Sequence, residues 1–476
     1  MKLTLKITAL LLLLILPFIL VLSVAFLLPP EYDETFVGAL DEKLERLHSI
    51  EEDKILIVGG SSVAFGYDSE IIEKYLDMPV VNFGLYAALG TKLMLDLSRN
   101  AVEEGDIVII APEMDSETLS LYFSALMTLR ALESSPEYLF DIPSEHTASL
   151  VGSIWSFAVE KFENKIIEKE LQEGIYRADS FDERGDIKYP RPENVMREYY
   201  DANRPLDLTE SIVDEDFLNY LNEYIAHCKS VGAKVYFEFP PMNRLAISKN
   251  STEDTRYEFE EFLRESLDCP IIAASVEDYI YDEGYFYDSN FHLNDAGVVM
   301  HTVNVTRDLL LELEIPKAVE EDIPEPPELP EQDVRYFGED KNAKYFEFEK
   351  RADGSYALVK VKDEYLHMDS FTLPLGYNGY IVSAVAERAF EGSSLEKLIV
   401  PEDTNLWAFE NGFYLGAPKF KELYLYNLDG MAINPPDSFS GRREDFVVYV
   451  TPESDYMDEG GYNWQSLGLT FKYIFD

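Results

Sequence analysis

The sequence predicts an α/β protein built on a mostly parallel sheet, followed by a small β-rich C-terminal domain. Three observations carry this. Short apolar runs alternate with amphipathic helical stretches between residues 54 and 313, the pattern of βαβ units. A stretch rich in Pro and Glu then interrupts that alternation. Beyond it the apolar positions take up a strand-like pattern and repeat every 25 residues.

In the first domain, residues 31–315, the expected strands are Lys54–Val58 (KILIV), Pro79–Phe83, Ile107–Ala111 (IVIIA), Lys234–Phe239 (KVYFEF) and the short Pro270–Ala273. Helical patterns lie at Thr91–Val102, Glu117–Leu132, Phe217–Val231, Asp254–Leu267 and Leu293–Leu313. In such sheets functional residues gather at the carboxyl ends of the strands. Residues 133–216 read as an insertion, helical around Ile154–Glu170 and then polar with Tyr, Pro and Arg. A substrate-facing lid and a decorative helical hairpin both fit it. The linker, 316–333, contains EEDIPEPPELPEQ (Glu320–Gln332), whose prolines and like charges favour an extended spacer.

Before the sheet, residues 1–30 read as a membrane anchor. Lys2 and Lys6 precede an uncharged run from Ile7 to Leu28, and Glu31, Asp33 and Glu34 follow it. Its 22 residues span roughly 33 Å as a helix, enough to cross a hydrocarbon core. Positive charge before the run places the N-terminus in the cytoplasm and the bulk of the chain outside. The competing reading is a signal peptide cleaved at Ser23-Val24-Ala25; the run continues through Leu28, which favours an uncleaved single-pass anchor in the cell membrane.

Composition narrows the function. At 476 residues the chain has room for two or three domains. Its 46% hydrophobic content supplies sizeable cores and rules out wholesale disorder. The net charge of −50 repels phosphate backbones and excludes nucleic-acid partners. Cys228 and Cys269 cannot form a disulfide framework or a Cys-rich metal site. The six histidines are scattered, so no metal and no cofactor is expected.

In the C-terminal domain, residues 334–476, Asp353-Gly354 marks a hairpin turn. Leu395, Leu398 and Val400 recur as Phe420, Leu423 and Leu425, and Val448 and Val450 follow 25 residues later. A period of this kind is the mark of stacked leucine-rich units, each strand burying its face against its neighbours. Phe371–Phe390 (FTLPLGYNGYIVSAVAERAF) and SLEKLIVP at Ser394–Pro401 resemble BspA-type leucine-rich repeats of bacterial surface proteins. Val447–Trp464 resembles the closing cap of that family. The resemblance implies a short solenoid that contacts a protein or glycan ligand.

Three segments of the first domain carry potential chemistry. The first strand runs into Gly59-Gly60-Ser61-Ser62, a tight turn that exposes a hydroxyl at the sheet edge. The second ends in Asn82-Phe83-Gly84, where a glycine N–H faces the same edge as an oxyanion donor would. Before the last helix lies Asp288-Ser289-Asn290-Phe291-His292, with a carboxylate placed to orient an imidazole. In this order the segments resemble the SGNH (GDSL-like) hydrolase superfamily over roughly residues 50–315, which implies a three-layer, flavodoxin-like sheet. The anchored arrangement resembles relatives of DltD and of alginate acetylation proteins, which serve acyl transfer to envelope polymers. The resemblance implies Ser61 as nucleophile, His292 as general base and Asp288 as orienting carboxylate, with the N–H groups of Ser61 and Gly84 as oxyanion donors. Two departures stand out. Glu113 occupies the place of the family's asparagine, and an ionised carboxylate there would repel an oxyanion. Asp288 lies four residues before His292 rather than three.

The expected function is therefore that of an anchored, extracytoplasmic esterase or O-acyltransferase acting on acyl groups of a cell-envelope or extracellular glycan. A membrane acyl-donor protein is compatible with that role. The alternative is a cell-surface binding or adhesion protein with a catalytically degenerate SGNH-like domain and a ligand-binding repeat module.

Overall fold

The structure, a computed structural model, describes residues 15–19, 23, 28–167, 174–196, 198–202, 204–330, 334–336, 338, 340–406, 408–410, 412–426, 439, 441–452 and 469–474. Most of the Ile7–Leu28 run and residues 453–464 of the expected cap lie outside them. Among the described residues no helix is long and apolar enough to cross a membrane. The protein is an α/β chain with parallel sheets and a β-rich C-terminal region. It divides into two compact units, Met1–Asn194 with Leu206–Glu328, and Val195–Pro205 with Leu329–Asp476.

The first unit contains α1 (Leu40–Ser49), β1 (Ile55–Gly59), α2 (Ser61–Gly66), α3 (Ser69–Leu76), β2 (Val80–Gly84), α4 (Thr91–Ser98) and β3 (Ile107–Ala111). It continues through α5 (Ala125–Ala131), α6 (Thr147–Ile167), α7 (Glu215–Val231) and β4 (Lys234–Phe237). It ends with β5 (Met242–Asn243), α8 (Glu253–Ser266), β6 (Ile280–Tyr281) and α9 (Asp295–Glu312). Strands β1–β4 form one parallel sheet in the order β2-β1-β3-β4. The runs ILIVG, VVNFG and IVIIA are buried throughout, as strands covered on both faces must be. The expected fifth strand is reduced to a single parallel bridge, Phe237 to Ile271. Pro270 has no N–H to give a ladder and only accepts, from Phe237 N at 2.9 Å.

Register places the site. Gly59 pairs with both Gly84 and Ala111, so three strands end level at one edge. A Cβ on Gly84 would fall 2.3 Å from Val63 Cβ, and one on Gly59 2.4 Å from the Ala111 carbonyl oxygen. Only glycine lets α2 start so close to these strand ends. The helix expected over Glu117–Leu132 begins only at Ala125. Asp115 takes the N–H groups of Glu117 and Thr118 at 2.9 and 2.8 Å, and Ser124 caps Met127 N; such local bonds compete with helix.

In the second unit, β7 (Phe346–Lys350) and β8 (Tyr356–Val361) form a hairpin. Its turn has Gly354 at φ +89° and Asp353 Oδ1 accepting from Ser355 N at 2.8 Å. Then follow β9 (Ser370–Thr372), β10 (Gly376–Tyr377), β11 (Tyr380–Val385), β12 (Lys397–Val400), β13 (Ala408–Phe409), β14 (Glu422–Leu425), β15 (Val447–Val450) and β16 (Thr470–Tyr473). One sheet runs β10-β11-β8-β7 with β13 on β11. The other is parallel throughout, β16-β15-β14-β12-β9. Leu398 pairs with Leu423 and Leu423 with Val448, so the 25-residue offset is a register repeat. Alternate residues of β12, β14 and β15 point into one aromatic-rich core with Phe371, Phe390, Phe413 and Phe420.

Val195–Pro205, distant in sequence, belongs to this second unit. Ala202 packs on the face formed by Ala357, Ala384 and Ala408. Glu198 pairs with Arg351 and accepts from Ser383 Oγ at 3.1 Å. Arg351 also donates to Tyr200 OH at 2.9 Å and Glu410 at 3.2 Å. Removing one partner of so buried a pair strands the other charge. Glu198→Ala is therefore expected to lower the unfolding free energy of the second unit by about 3 kcal/mol at most, because Glu410 remains. Urea denaturation of the full chain reads this, and a midpoint equal to wild type would refute the clasp.

Candidate functional site

The level strand ends bring the three sequence segments together. Ser61 opens α2 directly after β1, Glu113 lies two residues past β3, and His292 sits in the loop before α9. His292 Nε2 is 2.8 Å from Ser61 Oγ, and its Nδ1 is 2.7 Å from Asp288 Oδ1. The four-residue spacing is absorbed by a tight turn. Phe291 N donates to Ser289 Oγ at 3.2 Å, and Tyr287 N to the His292 carbonyl at 2.8 Å. These bonds fold Asp288 back beneath the ring. Phe65 of α2 stacks on His292 with centroids 3.9 Å apart and planes 7° apart. The imidazole is thus held at both nitrogens and on one face.

Tyr176, from the insertion, donates to Asp288 Oδ2 at 2.6 Å. Burial and the Asp288 charge raise the Tyr176 pKa, so the phenol stays a donor. Burial alone would raise the Asp288 pKa; His292 and hydrogen bonds from His292 and Tyr176 outweigh it and leave a lowered value. Asp288 is therefore an acceptor at both oxygens, which fixes the proton of a neutral His292 on Nδ1 and leaves Nε2 to accept.

Glu113 changes the proton accounting. Its Oε1 is 2.8 Å from Ser61 Oγ and 2.7 Å from Ser62 N. A hydroxyl has one proton to give. If Ser61 donates to a neutral His292, Glu113 pairs with Ser61 only as a protonated donor. If Glu113 is ionised, Ser61 turns its proton to the carboxylate and Nε2 must carry one of its own. Either way the trio holds one extra shared proton. Burial, reinforced by Asp115, raises the Glu113 pKa against the opposing effects of His292, Ser62 N–H and Ser61. The neutral acid is thus favoured relative to a free carboxyl, and in that form it donates to oxygen instead of repelling it.

The expected backbone donors are placed less simply. The N–H of Gly84 donates to Asn82 Oδ1 at 3.1 Å rather than facing open space. Asn82 is itself held, giving its amide to the Val63 carbonyl at 2.9 Å and Asp186 Oδ1 at 2.8 Å. The N–H of Ser61 lies in the first turn of α2, where a helix leaves its donors without intrahelical acceptors. Ser61 and His292 are each 7% exposed, so the hydroxyl is nearly closed off from solvent. Two surface cavities, of about 530 and 380 Å3, are bordered by other residues, among them Glu45 and Tyr138 in one and Arg177 and Lys188 in the other. The distances at Ser61, not cavity size, mark the site.

Sequence reasoning brought Ser61, His292, Asp288, Gly84 and Glu113 to one edge but missed Tyr176 and Phe65. Tyr176 carries no local signal, since its partner lies 112 residues away. Phe65 sits one helical turn beyond Ser61 and reads as an ordinary core position. No family model, curated protein or solved structure matches this chain.

The raised pKa of Glu113 has a stability consequence. A carboxyl that binds its proton more tightly when folded stabilises the fold below its unfolded pKa, and that stability is lost as pH rises through the folded value. Glu113→Gln keeps the shape and removes the titration. Urea midpoints of the first unit are expected to show the variant gaining on wild type as pH rises from the ordinary carboxyl range. A constant difference between the two across pH would count against a raised Glu113.

Proposed function

We propose that the chain is a membrane-anchored, extracytoplasmic SGNH-type esterase or O-acyltransferase acting on acyl groups of cell-envelope or extracellular glycans. The observation that carries this reading is the unbroken hydrogen-bonded chain from Ser61 through His292 to Asp288, at 2.8 and 2.7 Å. Its distances lie within the range a nucleophile and its base require. Ser61 Oγ attacks the acyl carbonyl while His292 Nε2 takes its proton, and the ring becomes an imidazolium paired with Asp288. The tetrahedral oxyanion is met by the Ser61 N–H and, in its protonated form, by Glu113. Collapse expels the sugar alkoxide, which takes the proton from His292, and leaves an acyl-serine. Water or a second sugar hydroxyl then resolves it with His292 as base.

The first unit reads in this proposal as a three-layer, flavodoxin-like sheet of the SGNH kind, supported by the order β2-β1-β3-β4. The second reads as a BspA-type leucine-rich solenoid, supported by the 25-residue register repeat, and it would hold a protein or glycan ligand near the membrane. A membrane acyl-donor protein would supply the transferase. One observation favours the alternative, a surface binding protein with a degenerate site. The N–H groups of Gly84 and Ser62 already have side-chain acceptors, which leaves few donors for an oxyanion.

The full chain in detergent is expected to hydrolyse small activated acetyl esters. Ser61→Ala and His292→Ala should each lower kcat by about 10^4-fold or more, with no further loss in the double variant. Tyr176→Phe, which removes one hydrogen bond to a charged group, should cost about tenfold. Wild-type rates equal to Ser61→Ala on both model esters and acetylated glycans, across neutral pH, would eliminate the enzyme and leave the binding protein.

A further inference from the structure

In a chain where 27% of residues are charged, Thr147–Val159 carries no charge over 13 consecutive residues. These residues are the first half of α6. Phe157 and Ala158 are buried against the unit, while Val151 is 62% and Trp155 47% exposed. Phe140, seven residues before the helix, is 90% exposed. Burying such a surface in water-free surroundings is favourable, and leaving it in water is not.

Phe18, within the apolar N-terminal run, lies beside this face. The Phe18 ring is 5.8 Å from that of Trp155. Where the run ends, the chain is tied to the second half of α6 and its neighbour. Lys161 Nζ donates to the Leu28 carbonyl at 3.4 Å and pairs with Glu133. Glu133 Oε2 takes the N–H groups of Glu31 and Tyr32 at 2.8 and 3.2 Å. Leu28 thus lies beside Lys161, and Phe18 lies beside Trp155, six residues nearer the start of α6. The ten residues between Lys161 and Val151 rise by roughly 15 Å.

We propose that the first half of α6 is embedded in the outer leaflet of the membrane spanned by the Ile7–Leu28 run, with Val151 and Trp155 in contact with lipid. The proposal rests on the anchor reading of that run. Interfacial helices bury an apolar face about 5–10 Å into the boundary between headgroups and acyl chains, and Trp is favoured at that depth. The absence of charge on this stretch makes the contact one of apolar burial, which suits a chain of net charge −50 that anionic headgroups repel. It would also set the Ser61 unit against the bilayer surface.

The test uses full-length protein carrying Trp407→Phe and Trp464→Phe, so that Trp155 is the sole tryptophan, reconstituted in phosphatidylcholine vesicles with and without phosphatidylglycerol. Flotation in alkaline carbonate reports the anchor, and quenching by brominated lipids reports α6. The expected result is flotation, loss of most Trp155 emission with lipids brominated high on the acyl chain, and no response to aqueous iodide. The anionic lipid should make no difference. Val151→Asp should leave flotation unchanged and shift Trp155 emission to the red. Flotation with Trp155 quenched by iodide overturns the α6 proposal alone. Flotation with Trp155 reached by neither quencher also overturns it, in favour of cover by the chain's own apolar run or a second copy. Failure to float overturns the anchor reading and the proposal together.

Discussion

Everything at the site depends on three parallel strands ending in register. Because Gly59 faces both Gly84 and Ala111, the residues that follow each strand leave the sheet at the same height. Ser61 and Glu113, 52 residues apart in sequence, can then share a hydrogen bond of 2.8 Å. A slip of one residue in β3 would turn every side chain of that strand to the opposite face and carry Glu113 away from Ser61. The glycines at the strand ends are part of the same constraint, since side chains there would collide with Val63 and with the β3 backbone.

Around that edge the polar groups form a ranked set of donors and acceptors. Tyr176 gives to Asp288, Asp288 receives from His292, and a single proton lies between His292 Nε2 and Ser61 Oγ. The ionised Asp288 sets the first two directions, because a carboxylate only accepts and so takes a proton from both the phenol and the imidazole. Glu113 ends the chain on the other side. Buried between Ser61 and Ser62 N–H, it can complete the set as a neutral acid without a second negative charge near the serine. In the proposed reaction a carboxyl group in that place therefore need not abolish what an amide would support, provided it carries its proton.

The second unit is stabilised on a different principle. Its parallel strands repeat every 25 residues and each buries alternate side chains on the next, so its core grows by stacking. The antiparallel edge is held instead by a long-range contact, Val195–Pro205, whose Glu198 neutralises a buried Arg351. A fragment that starts after the linker would leave that guanidinium with Glu410 alone as an acidic partner among the described residues.

The sequence by itself determined the four strands of the first sheet, because short, fully apolar runs such as ILIVG and IVIIA, rich in β-branched residues, suit a sheet covered on both faces. It also determined the stacking period of the C-terminal region, since Leu398, Leu423 and Val448 mark it directly, and the candidates Ser61, Asp288 and His292, since each sits next to a recognisable strand end or helix start. Tertiary structure alone decided the rest. It brought Tyr176 to Asp288 across 112 residues, laid Phe65 on the imidazole, and placed Val195–Pro205 in the second unit. It also raised the pKa of Glu113, because the field on a carboxyl group comes from what surrounds it in space. Local periodicity reports which face of an element is buried; only the packed chain reports which distant group meets it there.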